Sequence, residues 1–353
     1  MQIIYFVLLL GLVILVHEIG HLVVAKLFNV YCGEFAIGMG PKLFSIKKKE
    51  TTYSIRALPI GGFVTLAGDE FEDETIPKER TLPGIHPLKR IVIMLAGIAM
   101  NFLLGWLLLS SVIAMNGKIV VPPPPIIDKV MENTPAERAG LQNGDIIRQI
   151  EYSDGTIIKP DDFYDILNYN AMYTDERTIT IERNGALFML KITPEYNATE
   201  NSYLIGITVP PGTIKDVSFL SSFQYGVKEA FDIAGDTVSA VGRILRGVGL
   251  KQLSGPIGIF NVTGEVMAQA SSFVEGLKYF FTFAAILSIN LMIMNLLPIP
   301  IMDGGRVLII IVEMIIRKPV NKKLEQALMI GSMAILITLM IFVTYQDILN
   351  IFN

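Results

Sequence analysis

Four stretches of this 353-residue chain are apolar over lengths that match a bilayer, and they set its class before any motif is read. A spanning helix needs about 20 predominantly apolar residues. Ile3 to Phe28, Ile91 to Met115, Tyr279 to Leu297 and Ala327 to Tyr345 meet that requirement. In lipid every backbone N–H and C=O must be paired inside the protein, so such runs fold as helices. Val307 to Ile316 is apolar but short and holds Glu313, and it reads as a partly buried helix that follows a break. Charged residues make up 18% of the chain, below the ~25% of soluble domains. The class is therefore an α-helical polytopic membrane protein that also carries some soluble mass. A net charge of −4 offers no basic footprint, so no nucleic-acid partner is expected. The first stretch lacks the basic start and small-residue cleavage site of a signal peptide and is expected to remain as a helix.

Lys and Arg mark cytoplasmic loops. The segment 29–90 holds Lys42, Lys47, Lys48, Lys49, Arg56, Lys78, Arg80, Lys89 and Arg90, and the approach to the last span holds Arg317, Lys318, Lys322 and Lys323. Both segments are expected inside, and both termini outside. The division expected is a first span over 1–28, a cytoplasmic loop over 29–90, a second span over 91–116, an external region over 117–278, a third span with its break over 279–317, and a fourth over 324–346. The external region opens with the stiff spacer "VVPPPPIID". "TITIERNGALFMLKITP" then reads as two alternating strands around Asn184-Gly185, a strong hairpin signal. Residues 117–196 are thus expected to form a small α+β domain, and 197–278 an amphipathic helical region that packs on that domain or lies in the membrane interface.

The first span is not purely apolar. "LVILVHEIGHLVVAK" carries His17, Glu18 and His21 in its middle. Ionisable groups at this depth cost several kcal/mol each, so they mark function by default. On a helix, positions i and i+4 share a face, and both imidazoles can reach one metal. Zinc accepts two His and one carboxylate and leaves a fourth position for water, whose proton the neighbouring Glu18 is placed to take. With one cysteine, Cys32, a cysteine-only site is excluded. At 1.5 Å per residue His17 lies about 21 Å along the helix from Ile3, towards the cytoplasmic side. The third ligand should come from another span at similar depth. "NLLPIPIMDGG" provides Asp303 there, beside the helix breakers Pro298, Pro300, Gly304 and Gly305. Glu313 is a rival without a breaker beside it, and His86, in a basic loop before Pro87, reads as interfacial.

Together these features resemble the site-2 protease family of M50 intramembrane zinc metalloproteases, and within it the bacterial regulator-of-sigma-E protease branch. The resemblance takes in "PIGGFVTLAGDE", "LAGIAMNF" and "LSGPIGIF" and covers essentially the whole chain. It implies one zinc ion per chain on His17, His21 and Asp303, with Glu18 as catalytic base and Asn295 holding substrate backbone. "YSIRALPIGGFVTL" looks like the family's membrane-associated β-hairpin, here about 51–66, whose Gly61, Gly62 and Phe63 would meet an extended substrate by strand addition. "TPAERAGLQNGDII" resembles a PDZ domain in the external region, in one copy where better-known members carry two. Met302 stands where the branch commonly has Leu. The implied setting is a bacterial cytoplasmic membrane with the active site towards the cytoplasm. The implied partners are the lipid bilayer and a single-pass membrane protein or remnant signal peptide as substrate. A zinc transporter or sensor is the competing reading, but it leaves Glu18 without a task and lacks the internal repeat of spans that many transporters show.

Overall fold

The computed structural model of the chain describes residues 2–69, 71, 73–170, 173–197, 202–208, 210–246 and 255–352. Residues 198–201, 209 and 247–254, which the sequence reading placed in the amphipathic region and at the start of "LSGPIGIF", lie outside them. The chain forms two compact units, Met1–Asn116 with Ser218–Asn353, and Gly117–Val217. The first unit begins with α1 (Gln2–Leu27), β1 (Cys32–Lys48), β2 (Thr51–Leu66) and α2 (Pro87–Asn116). The second holds β3 (Lys118–Val121), β4 (Lys129–Val130), α3 (Pro135–Arg138), β5 (Ile146–Glu151), β6 (Ile157–Ile158), α4 (Phe163–Asn170), β7 (Arg177–Arg183), β8 (Ala186–Ile192), β9 (Glu195–Asn197), β10 (Ser202–Leu204), β11 (Ile207–Thr208) and β12 (Thr213–Asp216). The first unit then resumes with α5 (Phe219–Leu245), α6 (Pro256–Ala268), α7 (Phe273–Leu296), α8 (Asp303–Ile316) and α9 (Lys322–Phe352). Among the described residues, 4 helices, α1, α2, α7 and α9, are long and apolar enough to cross a membrane.

The helical core is built on small residues. Buried positions of α1 recur every fourth residue: Leu9, Val13, His17, His21 and Ala25. Those of α2 do the same at Ile93, Gly97, Asn101, Gly105, Leu109 and Ile113. Such rows lie on one face, and glycine in them lets backbones approach where no water drives association. A Cβ on Gly20 would sit 2.5 Å from the Ala96 carbonyl oxygen, and one on Gly105 would sit 2.6 Å from Ile289 Cγ1 of α7. α2 is the shared wall, packing on α1, α5, α7 and α8. α5 answers the question left open by its amphipathic pattern. It buries Ser222, Gly226, Ala230 and Ala234 and packs on α2 and α7. Trp106 donates to the Phe223 carbonyl at 2.9 Å, and Thr237 donates to Asn290 Oδ1 at 2.7 Å.

Strands β1 and β2 each fold back on themselves. Lys48 pairs with Thr51 and Ser45 with Ser54, whereas Phe35 pairs with both Tyr53 and Val64 and Ile37 with both Ile55 and Gly62. The four arms therefore lie in the order 42–48, 51–56, 34–37, 62–66. The two arms of the hairpin expected within 51–66 are not partners, because an arm of β1 lies between them. The pairs Glu34–Thr52 to Ile37–Ile55 advance together, a parallel register within an otherwise antiparallel ribbon. Gly38 and Gly40, both at φ +85°, supply the bend in β1 that this needs. Glu34 fastens the arms. Burial raises its carboxyl, but hydrogen bonds from Lys42, Ser54 and Arg56 outweigh that and hold its pKa at about 2. The Lys42 and Arg56 contacts are each 2.8 Å.

In the second unit β6, β5, β7 and β8 form a four-stranded antiparallel sheet. Asn184 and Gly185, at φ 52° and 79°, make the tight turn between β7 and β8. Strands reach further along the chain than expected: β11 returns to pair with β4 and β12 with β3. Residues up to 217 thus close this unit, and helix begins only at α5, because the partners of these late strands lie at the unit's start.

The last span is tied by one acid. Asp347 of α9, 5% exposed, accepts the Gly255 N–H at 3.1 Å and the Gly258 N–H at 2.8 Å, so it caps α6 from a distance. Hydrogen bonds to a charged group contribute roughly 1.5–3 kcal/mol each. Asp347→Ala is expected to lower Tm by several degrees, with Asp347→Asn in between; equal melting of all three proteins would refute the cap. A second expectation concerns pH. The Glu34 pKa lies below its ordinary 4.5, so its contribution is complete above that value and is lost as pH falls towards about 2. Pepsin cleavage within 42–56 should rise over that interval in the native protein relative to Glu34→Gln, whose susceptibility should change less.

Candidate metal centre and active site

Three ligand atoms from two distant parts of the chain converge. His17 Nε2 and His21 Nε2 lie 3.1 Å apart, and they lie 3.1 and 3.2 Å from Asp303 Oδ2. Tetrahedral zinc with bonds near 2.0–2.1 Å needs ligand separations of about 3.3 Å. Asp303 Oδ2 is buried and has no hydrogen bond, which is the state of an oxygen reserved for a cation. The donor set therefore fits a zinc ion, with His17, His21 and Asp303 available to hold it.

The surrounding contacts orient these ligands. His21 Nδ1 lies 2.9 Å from the Ile93 carbonyl, so that nitrogen carries the proton and Nε2 is free for a metal. His17 Nδ1 meets the side-chain amide of Asn101 at 3.2 Å. With a metal on Nε2, Nδ1 is a donor, so Asn101 must present its oxygen there. That orientation also pairs Asn101 Oδ1, which otherwise has no partner. Ser288 of α7 donates to the Asn101 carbonyl at 2.8 Å and fixes that turn of α2. Gly97 makes room, since a Cβ there would lie 2.5 Å from His21 Nε2 and 2.7 Å from His17 Cε1.

Asp303 is delivered by the break between α7 and α8. Leu297 is extended at the end of α7, and the Met302 N–H donates back to the Ile299 carbonyl at 2.8 Å. Asp303 then opens α8, where the helix dipole favours a carboxylate. The two glycines that follow are steric requirements. A Cβ on Gly304 would lie 2.2 Å from the Leu296 oxygen, and one on Gly305 would lie 2.0 Å from the Ile299 oxygen.

A cavity of about 250 Å³ opens on this cluster, lined by His17, Glu18, His21, Asn295, Asp303 and Arg306 together with Phe63, Val64 and Leu66 of β2. Glu18 and Asn295 thus face the same space as the ligands. Gly62 lies beside Glu18, with its would-be Cβ 3.6 Å from Glu18 Cγ. Phe63 lines the cavity with its ring under Arg56 at 4.8 Å. Gly61, at φ +86°, packs on Met39 and serves the bend of β2 instead of lining the cavity. Glu313 is engaged elsewhere, bound to Arg90 at 2.8 Å and to the Val320 N–H at 3.0 Å. His86 accepts the Leu88 N–H at 3.3 Å at the start of α2. Asn101, Gly97 and Arg306 were not singled out from sequence. Asn101 had a usable signal: like the histidines, it is a polar side chain in mid-span.

Known proteins are similar to this chain over nearly its whole length. The family model described as Peptidase family M50 matches residues 5–339. A protein of Fusobacterium nucleatum named "Putative zinc metalloprotease" is 36% identical over 98% of this chain and 98% of its own length. The zinc metalloprotease RasP of Shouchella clausii and the regulator of sigma-W protease RasP of Bacillus subtilis are each 30% identical over 99% of both chains.

Removing a group that orients a ligand typically weakens metal binding ~10–100-fold. Asn101→Ala is expected to lose zinc to a competing chelator that much more readily while His17, His21 and Asp303 remain. Gly97→Val should bind no zinc. Native affinity in Asn101→Ala would show that the amide does not orient His17.

Proposed function

The chain belongs to peptidase family M50 and is a multi-pass zinc metalloprotease, and from that premise we propose that it cleaves single-pass membrane proteins, or signal peptides left in the bilayer, within or near their spans. The observation that carries this reading is a single cavity in which Glu18, three metal-ligand atoms and an arm of a β-strand meet among helices of membrane length. Zinc bound by His17, His21 and Asp303 supplies Lewis acidity, which activates water and polarises a carbonyl. Glu18 Oε accepts the proton of the attacking water and returns it to the leaving nitrogen. The arm 62–66 of β2 pairs with β1, and its residues Phe63, Val64 and Leu66 line the cavity. We assign it the task of holding the substrate extended by strand addition. A helical peptide bond is shielded by its own hydrogen bonding, so unwinding must precede attack. Asn295, with a donor and an acceptor on one side chain, suits a bond to the exposed substrate backbone.

The basic loops support a cavity towards the cytoplasm of a bacterial cell and termini outside. The unit Gly117–Val217 is then extracytoplasmic, and its "TPAERAGLQNGDII" stretch supports a PDZ-like domain acting on the outer part of the substrate.

Glu18→Gln tests the reading. It should keep one zinc per chain and lose cleavage of a tagged single-pass substrate by at least ~10²–10⁴-fold, the usual weight of a positioned base. Chelation should abolish cleavage by the native protein and zinc should restore it. Undiminished cleavage by zinc-loaded Glu18→Gln would overturn the assignment of the base.

A further inference from the structure

We propose that Asp69 and Arg306 form a strap across the mouth of the cavity, setting the distance between the substrate-holding arm of β2 and the metal-bearing end of α8. Arg306 lies one turn beyond Asp303 on α8, so both face the cavity. Asp69 lies three residues past the end of β2, just after Leu66, which also lines the cavity. The two side chains form an ion pair, and each is about one quarter exposed, at 26% and 27%. They therefore sit at the rim, where the cavity meets water.

The two walls of the cavity are otherwise held by different neighbours. β2 packs on α1, whereas α8 packs on α2 and α7. Ile310, one turn beyond Arg306, joins the apolar core that buries Val64 and Leu66. The walls thus share apolar contact at that end and are bridged by the ion pair at the rim. The loop that carries Asp69 is pinned by backbone hydrogen bonds. The Ala67 N–H donates to the Tyr31 carbonyl at 3.0 Å, the Gly68 N–H to Phe71 at 2.8 Å, and the Leu82 N–H to Ala67 at 2.8 Å. Gly68, at φ +83°, has Pro83 2.7 Å from its would-be Cβ. A partly exposed ion pair contributes only about 0–1 kcal/mol to stability. Its consequence here is geometric: it joins a pinned loop to a helix end across the gap that a scissile peptide must fill. Asp69 and Arg306 are positioning residues in this account, and the catalytic consequence rests on the proteolytic reading above.

Two readouts test it in the full-length protein in detergent. The first needs no activity. Spin labels at Glu74→Cys and Leu308→Cys, with Cys32 buried and unreactive, report the loop-to-α8 distance. Asp69→Asn or Arg306→Gln should lengthen or broaden that distance, and the swap of Asp69→Arg with Arg306→Asp should narrow it again. An unchanged distance in the single variants would overturn the strap. The second is kinetic, with a single-pass peptide bearing a fluorophore and quencher on either side of its span. The single variants should retain one zinc and the native KM within a few-fold. Their kcat should fall roughly 10–100-fold, as a 1 Å misplacement costs, and the swap should recover most of it. Zinc loss in the single variants would overturn the proposal. So would a deficit confined to Arg306→Gln and not repaired by the swap, which would make Arg306 a direct substrate contact. If the native protein cleaves nothing while the distances respond as expected, the strap stands and the proteolytic reading falls.

Discussion

Two imidazoles and a carboxylate, brought together among packed helices at the wall of a cavity, are the constraint on which the rest of the structure depends. Three lone-pair atoms within 3.2 Å of one another repel unless a cation or a shared proton lies between them. Holding them there dictates the helix packing. Gly97 exists to let two imidazole rings lie against α2, and Gly20 brings α1 close enough for them to reach it. The Ile93 carbonyl then selects the tautomer of His21, and the Asn101 amide can present its oxygen to the matching nitrogen of His17. Moving α1 by one residue along α2 would place side chains where the rings now lie, so the close packing and the chemistry are one requirement.

The break before α8 obeys the same logic from the other side. A continuous helix through residues 297–305 would carry Asp303 past the ligands or rotate it away. Two prolines stop α7, and the glycine pair allows α8 to restart against the carbonyls of Leu296 and Ile299 at separations no side chain permits. An irregular backbone at membrane depth is tolerable because it lines a polar cavity and not lipid. The third span is therefore interrupted at the cost of local regularity, and the interruption places the third ligand.

Much of this was legible in the sequence, for identifiable reasons. The HEIGH and MDGG stretches are readable because each violates the composition of its surroundings, so the violation itself carries information. Asn101 was harder: a lone amide in a span reads equally as a helix-helix contact, and its meaning depends on which face of α2 meets α1. The β1–β2 ribbon was misjudged in its pairing. Alternation identifies strands, but period two is blind to whether an arm pairs with its neighbour in sequence or with one two bends away. The glycines at 38 and 40 held that clue, though only the fold shows that they bend β1 back instead of ending it. Strands β11 and β12 escaped because they are short and take their stability from partners roughly 80 to 100 positions earlier.

Metal binding and the proposed substrate presentation draw on separate parts of the first unit. The ligands belong to α1 and α8, each seated on α2. The strand arm belongs to β2, fastened within the ribbon by Glu34 to Lys42, Ser54 and Arg56. Helices are suited to the first task because their side chains project from a rigid, self-satisfied backbone. A sheet edge suits the second because its unpaired backbone groups are what an unwound peptide needs. Neither element can substitute for the other: a helix has no free backbone to offer, and a strand edge in lipid is stable only beside a polar cavity. The cavity where Glu18 meets Phe63 and Val64 is the place at which the two solutions must be brought into register, so small displacements there should affect turnover well before they affect the fold or the metal.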